Sequence, residues 1–306
     1  MANLTFKHLR YFEALAQQGH FGRAADVCAI SQPALSMQIK ELEETLGTVL
    51  FERGARQVRL TNFGEEFALR ARDILRAVDE LQDLARAASE QLVGQLRLGI
   101  IPTIAPYLLP TLIGHLTRAQ AGLDIHVRET LTPKLIQELS EGRIDAAIVA
   151  LPVSEPSFTE VALFSENFVL VRPRADAEKP VPDRDMLREM RLLLLEEGHC
   201  FRDQALSFCS VPTARPWEGL DGSSLSTLVQ MVGVGLGVTL IPEMAVDVET
   251  RSAPVAVSHF AAPQPSRTVG MVWRKTSPLV SQLRQISEIV RAAAADLQAT
   301  HAANQA

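Results

Sequence analysis

Between Glu65 and Val93 the chain contains neither glycine nor proline. Across that stretch Phe67, Ala71, Ile74, Val78, Leu81, Ala85 and Ala88 step by alternating fours and threes. This is the seam of a coiled coil carried over three heptads. One long helix with so narrow an apolar stripe cannot bury it alone, so the chain is expected to dimerise here. The helix also divides the 306 residues into three parts, residues 1–61, 62–92 and 93–306.

Residues 5–61 are compact and helix-rich. Leu9, Phe12, Leu15 and Ala16 recur at helical spacing in the first segment, and Phe21 to Ala29 forms a short second helix. Ser31 then caps a third helix with Pro33 in its first turn. On that helix Leu35, Ile39, Leu42 and Leu46 face inward, while Gln32, Ser36, Lys40 and Glu43 face outward with Pro33 and Met37 beside them. The run Leu50–Leu60 reads as a small hairpin carrying Arg53, Arg56 and Arg59. Three helices and a basic wing describe a winged helix-turn-helix. Its third helix enters the major groove of double-stranded DNA while the wing arginines grip phosphates. A two-fold dimer sets two such helices against a pseudo-palindromic site. Seven Lys/Arg against six Asp/Glu in residues 1–61, in a chain of net charge −6, confine DNA contact to a local patch. A plain three-helix bundle is the competing reading.

After Gly94 strands and helices alternate. Strand candidates are Gln95–Ile101, Leu123–Arg128, Ala146–Ala150, Phe168–Arg172, Arg191–Leu195, Gly237–Ile241 and Thr268–Trp273. The expectation is an α/β region of two lobes with mostly parallel sheets and a cleft between the lobes. Thr103 and Thr132 follow the first two strands and read as N-caps of the next helices. Each hydroxyl is either only a cap or a cap that also faces a pocket, and the plain cap is the simpler reading. Gly233-Val234-Gly235-Leu236-Gly237 follows a helix and precedes a strand, the reverse of a dinucleotide fingerprint, so it reads as a turn.

Of three cysteines, Cys28 sits in an apolar helix as core filler, while Cys200 and Cys209 lie nine positions apart in a stretch that reads as helix, with Phe201, Ala205 and Phe208 on one stripe. Nine helical steps place their Cα atoms ~13.5 Å apart on opposite faces, against a disulfide limit of roughly 7 Å. If the pair ever forms a bond, the helix must come apart. Spacing alone leaves two unrelated buried thiols open as an alternative. The neighbours favour a reactive thiol and a resolving partner. His199 and Arg202 are potential cations beside Cys200, and its place near a helix start favours a thiolate. Nothing comparable flanks Cys209.

Residues 5–61, through His20-Phe21-Gly22-Arg23-Ala24-Ala25 and Ser31-Gln32-Pro33-Ala34-Leu35-Ser36, resemble the DNA-binding domain of LysR-type transcriptional regulators. The long helix and two-lobed domain are similar too. Leu194–Ala205 with Phe208-Cys209 resembles the peroxide-sensing OxyR branch. The resemblance implies a periplasmic-binding-protein-like effector domain of two lobes behind the winged helix-turn-helix and a dimerisation helix. It implies Cys200 as the peroxidatic thiol, Cys209 as its resolving partner, and Thr103, Thr132, His199, Arg202, Asp203 and Arg267 around the peroxide site. Arg23, Gln32, Pro33, Ser36, Lys40, Arg53, Arg56 and Arg59 become the DNA contacts. It further implies a homotetramer with two kinds of dimer contact, and transcriptional activation through RNA polymerase. The chain departs from the pattern by a shorter stretch around Arg174–Pro182, which is loop territory.

A hydrogen-peroxide-responsive regulator is therefore the leading expectation, with no cofactor or metal and no enzymatic activity. Alternatives are a regulator of the same fold that answers a small organic anion in its cleft, and a thiol peroxidase with a DNA-binding appendage. No apolar run reaches the ~18 residues of a membrane span. Residues Met1–Phe6 show no secretion signal, so a cytoplasmic location is expected, where a regulatory disulfide is plausible and a structural one is not.

Overall fold

The computed structural model describes residues 4–53, 58–87, 94–119, 122–209 and 221–305. They form two units, Met1–Ala85 and Arg86–Ala306. In the first, α1 (Phe6–Gln18), α2 (Phe21–Val27) and α3 (Gln32–Leu46) precede the antiparallel pair β1 (Phe51–Arg53) and β2 (Val58–Leu60), and α4 (Asn62–Ala87) follows. Side chains of Thr5, His20 and Ser31 accept from the first free amides of α1, α2 and α3 in turn, the amides that a helix start leaves unpaired.

The core of this unit is Leu9, Phe12, Leu15, Leu35, Ile39 and Leu42 under Leu50 and Phe51. Phe12 meets the Phe51 ring at 5.2 Å and the Phe67 ring edge-on at 4.9 Å, which draws the first turns of α4 into the same core. The long helix therefore differs from a free seam at its start. Phe67 and Ala71 pack inside their own unit, with Ala71 only 1% exposed, whereas Ile74 and Leu81 are 47% and 63% exposed. Ala88 lies outside the described residues. Glu43 accepts from the amides of Leu50 and Phe51 at 2.8 and 3.2 Å, tying the wing to α3.

The second unit runs β3 (Gly94–Ile100), α5 (Ala105–Ala119), β4 (Leu123–Glu129), α6 (Thr132–Ser140), β5 (Ala146–Leu151), β6 (Phe158–Pro173), α7 (Arg184–Glu189), β7 (Leu194–Leu195), α8 (Cys200–Cys209), β8 (Asp221–Gly222), α9 (Leu225–Gly233), β9 (Thr239–Pro242), α10 (Val246–Glu249), β10 (Val255–Ser258), β11 (Ser266–Arg274) and α11 (Val280–Gln305). One seven-stranded sheet has the order β10-β6-β11-β5-β3-β4, with β9 also on β6.

Mostly parallel pairing is not what forms. β3 pairs parallel with β4 and β5, but β11 runs antiparallel to β5 and β6, and β6 antiparallel to β9 and β10. The reason is the 16-residue β6, of which only Phe168–Arg172 is legible as a strand. It pairs with β11 through Asn167 and with β9 and β10 from Phe168 onward, so it crosses between lobes and the chain returns as an antiparallel neighbour. Two cores follow. One surrounds Leu98, Ile148, Met271, Trp273 and Leu283, and the other Val169, Leu195, Phe201, Leu228 and Ile241. The short Arg174–Pro182 stretch is pinned by Arg172, whose guanidinium donates to the carbonyls of Ala177 and Pro180. No helix among the described residues is long and apolar enough to cross a membrane.

At Gly64 a Cβ would stand 2.2 Å from the Leu50 carbonyl oxygen, a backbone atom that cannot step aside. Gly64→Ala is expected to destabilise the first unit by about 1–3 kcal/mol, read as a lower urea midpoint at unchanged slope.

Candidate functional site

On the first unit, α3 presents Gln32, Pro33, Met37 and Lys40 to solvent, with Ser36 half-buried. Lys40 lies 3.5 Å from Glu44 one turn on. Arg23 is exposed and donates to the Gln18 carbonyl at 2.7 Å. In the wing, Arg59 is exposed and stands opposite Glu52 in the ladder. Arg56 and the Arg53 side chain lie outside the described residues.

In the second unit, Gly198 turns the chain into α8 with φ +94°, a conformation that favours glycine. A Cβ there would come 3.1 Å from Leu131 of the other lobe. Cys200 is the first residue of α8 and Cys209 the last, the position expected for each. Cys200 is half-buried and packs against the first-lobe core, while the residues that follow it belong to the second. Phe201, Ala205 and Leu206 are buried there. Phe201 meets Phe168 edge-on at 4.8 Å, and Phe208 meets Phe260 at 5.2 Å. The Cys209 side chain lies outside the described residues.

The two expected cations are occupied otherwise. His199 is 8% exposed, and burial, opposed by Glu196, holds its imidazole below the ordinary range. At neutral pH it is uncharged and offers an acceptor or a single donor. Arg202 is buried and donates through Nη1 to the Leu195 carbonyl at 2.6 Å and to Asp221 Oδ1 at 3.0 Å. It clamps α8 to the strands β7 and β8. Asp203 is exposed on the first turn, where its charge complements the helix dipole.

Neither threonine is a plain cap. Thr103 precedes α5 by two residues and is 3% exposed. Its Oγ1 accepts from Arg267 Nη1 at 2.8 Å and its carbonyl from Nη2 at 2.9 Å. Leu131 holds the cap position of α6, so Thr132 is its first helical residue, and Thr132 Oγ1 is buried without a hydrogen-bond partner. A hydroxyl so placed is available to a small polar guest.

Arg267 joins Thr103 to the crossing strand β6 and to Phe201 of α8. Its side chain is fully buried against Glu166, its cross-strand neighbour, with Nε and Nη2 at 2.7 and 2.6 Å from Oε1. Its guanidinium also sits 5.7 Å from the Phe201 ring centroid. Burial pushes the Glu166 carboxyl up, and Arg267 opposes that. Because Thr103 Oγ1 accepts from Arg267, its own proton is free to be donated elsewhere.

Beside this group lies an interlobe cavity of about 360 Å³, lined by Thr103, Glu129, Thr130, Leu131, His199, three serines and Glu249 among others. Tyr107 of the first lobe donates to Glu249 Oε1 at 2.6 Å, and Ser226 to Oε2 at 2.6 Å. Burial and the Glu249 hydrogen bond hold the Tyr107 phenol above its ordinary range, so it remains a donor. Among the described residues the lining includes two carboxylates and no lysine or arginine. Nor does any cluster of three or more His, Cys, Asp or Glu among them suit a metal ion. Glu166, Asp221, Tyr107 and Glu249 have no local sequence signal; only strand register and lobe packing bring them here.

Arg267→Ala leaves Glu166 buried without its counter-charge and is expected to destabilise the second unit by about 3–5 kcal/mol. The paired change Arg267→Met with Glu166→Leu should recover most of that loss in chemical denaturation.

A family model described as the LysR substrate binding domain matches residues 89–295. Another, described as the bacterial regulatory helix-turn-helix protein of the lysR family, matches residues 6–65. The chain is 41% identical over 293 residues to the DNA-binding transcriptional dual regulator OxyR of Escherichia coli (strain K12), covering 94% of this chain and 95% of that protein. It is 42% identical over 298 residues to a probable hydrogen peroxide-inducible genes activator of Streptomyces viridosporus, covering 96% and 95%. Among solved structures, full-length OxyR from Pseudomonas aeruginosa with a cysteine-to-aspartate change matches at TM-score 0.74 and 40% identity, covering 94% and 95%. A cysteine-to-serine mutant of Corynebacterium glutamicum OxyR with hydrogen peroxide bound matches at TM-score 0.69 and 34% identity, covering 99% and 96%.

Proposed function

We propose that this chain, which belongs to the OxyR branch of the LysR-type transcriptional regulators, turns peroxide chemistry at one thiol into a change in how paired DNA-binding heads meet their sites. It is a hydrogen-peroxide-responsive, DNA-binding regulator. The observation that carries the mechanism is α8, a helix with a cysteine at each end, whose spacing forbids a bond while it stays helical.

The Cys200 thiolate attacks one oxygen of hydrogen peroxide. The O–O bond breaks, sulfur is oxidised to the sulfenic acid, and the departing hydroxide takes a proton to become water. Thr103, its hydroxyl aligned by Arg267, donates to the leaving oxygen, and the unpartnered Thr132 hydroxyl holds the other end. Neutral His199 takes the proton that Cys200 gives up on becoming a thiolate and passes it to the departing hydroxide. Arg202 and Asp203 keep the first turn of α8 in place until oxidation. The Cys209 thiol then attacks the Cys200 sulfur, an S–S bond forms, and water leaves. That second step needs α8 to unwind.

Two copies pair along α4, and further contacts complete a homotetramer. The third helix of each head reads a half-site through Gln32, Pro33, Ser36 and Lys40, while Arg23, Arg53, Arg56 and Arg59 hold phosphates. Rearranged heads recruit RNA polymerase. The protein acts in the cytoplasm, where thiol reductants reset the bond. An organic-anion effector is disfavoured, because among the described residues the cavity lining includes Glu129 and Glu249 and no lysine or arginine.

The test is a promoter footprint with and without peroxide. Wild type should change its footprint, Cys200→Ser should not, and Cys209→Ser should form the sulfenic acid without a lasting change. A peroxide-dependent footprint in Cys200→Ser would contradict the mechanism.

A further inference from the structure

The recognition surface of α3 contains a group that hydrogen bonding to DNA does not explain. Pro33, Met37 and Lys40 follow the i, i+4, i+7 spacing that lines residues along one edge of a helix. All three are exposed, and Met37, in the middle, is 64% exposed. Its polar neighbours are engaged toward the back of the helix: Lys40 with Glu44 at 3.5 Å, and Gln38 with Glu41 at 2.9 Å. Ser36 immediately precedes Met37, and Gln32 stands at the start of the helix. A long, unbranched apolar side chain thus projects from the exposed face of α3, the face that a recognition helix turns toward the major groove.

The major groove offers an apolar feature to meet it, the C5-methyl group of thymine, which distinguishes that base from cytosine without a hydrogen bond. A thioether on three rotatable bonds adapts to such a contact with little strain. We propose that Met37 is a specificity-determining residue that reads one thymine in each half-site through its methyl group. The proposal rests on α3 being the groove-reading helix.

Replacing thymine by deoxyuridine removes that methyl and leaves every hydrogen-bonding group unchanged. A duplex selected from a random-sequence pool by the full-length chain is rebuilt with this replacement at each thymine in turn. Wild type is expected to bind about fourfold more weakly at one position in each half-site, the scale of one buried methyl group. Met37→Ala, a change at an exposed position, should already bind the parent duplex more weakly by a similar factor and show no further loss at that position. Either of two results overturns the proposal: no replacement weakens wild type, or Met37→Ala loses the same fourfold. Gln32→Ala, run on the parent duplex, separates the two kinds of failure. If it weakens binding while the methyl effect is missing, α3 still reads the groove and only the role of Met37 falls. If it has no effect either, the groove reading falls with it.

Discussion

The separation of two thiols by an intact helix is the constraint on which the rest of the second unit depends. Ten residues of α8 hold the Cys200 and Cys209 backbones ~13.5 Å apart, about twice the disulfide limit. What keeps α8 helical is distributed around it. Gly198 supplies the entering turn, Arg202 clamps the first turn to Leu195 and Asp221, Phe201 and Leu206 sink into the second-lobe core, and half-buried Phe208 packs against it. Releasing those three apolar side chains costs roughly 5–9 kcal/mol. At ~30 mV per 1.4 kcal/mol, a bond formed against that cost is easier to reduce by on the order of 100–200 mV. If Cys200 and Cys209 bond as proposed, packing of this size leaves that bond open to ordinary thiol reductants.

Cys200 stands where the two lobes meet. Its side chain packs on the first-lobe core while Phe201, the next residue, lies in the second. Arg267 spans the same boundary, joining Thr103 before α5 to Glu166 in the crossing strand and to the face of Phe201. The buried ion pair is held by geometry more than by net energy, since two charges taken out of water gain little over a well-packed apolar pair. Its use is orientation. It fixes Thr103 as an acceptor toward Arg267, leaving the hydroxyl proton for another partner.

Features set by local chemistry were legible in the sequence. Helix caps at Ser31, the inward stripe of α3, the helical spacing of Cys200 and Cys209, and the glycine turn after α9 all depend on neighbours within a few residues. What depended on distant partners was not. The parallel expectation failed because Glu160, Ser165 and Glu166 break the apolar pattern in the sequence of β6 and so hide a continuous 16-residue strand. Thr103 and Thr132 looked like caps because strand-Thr-helix is a capping pattern. Thr103 is instead taken by Arg267, more than 160 positions away, and Leu131 stands at the cap position before Thr132. His199 and Arg202 looked like cations beside sulfur, yet burial neutralises one and Asp221 engages the other. The even spacing of the α4 seam predicts one surface, although Phe67 and Ala71 belong to the core of the first unit.

Amide hydrogen exchange across residues 200–209, in the reduced protein and after peroxide, bears most directly on whether α8 is the switch. The reduced protein should show slow exchange through the helix. The oxidised protein, with an intramolecular Cys200–Cys209 bond confirmed by mass, should lose that protection over most of the segment. Helical protection that survives with the bond in place would contradict the mechanism.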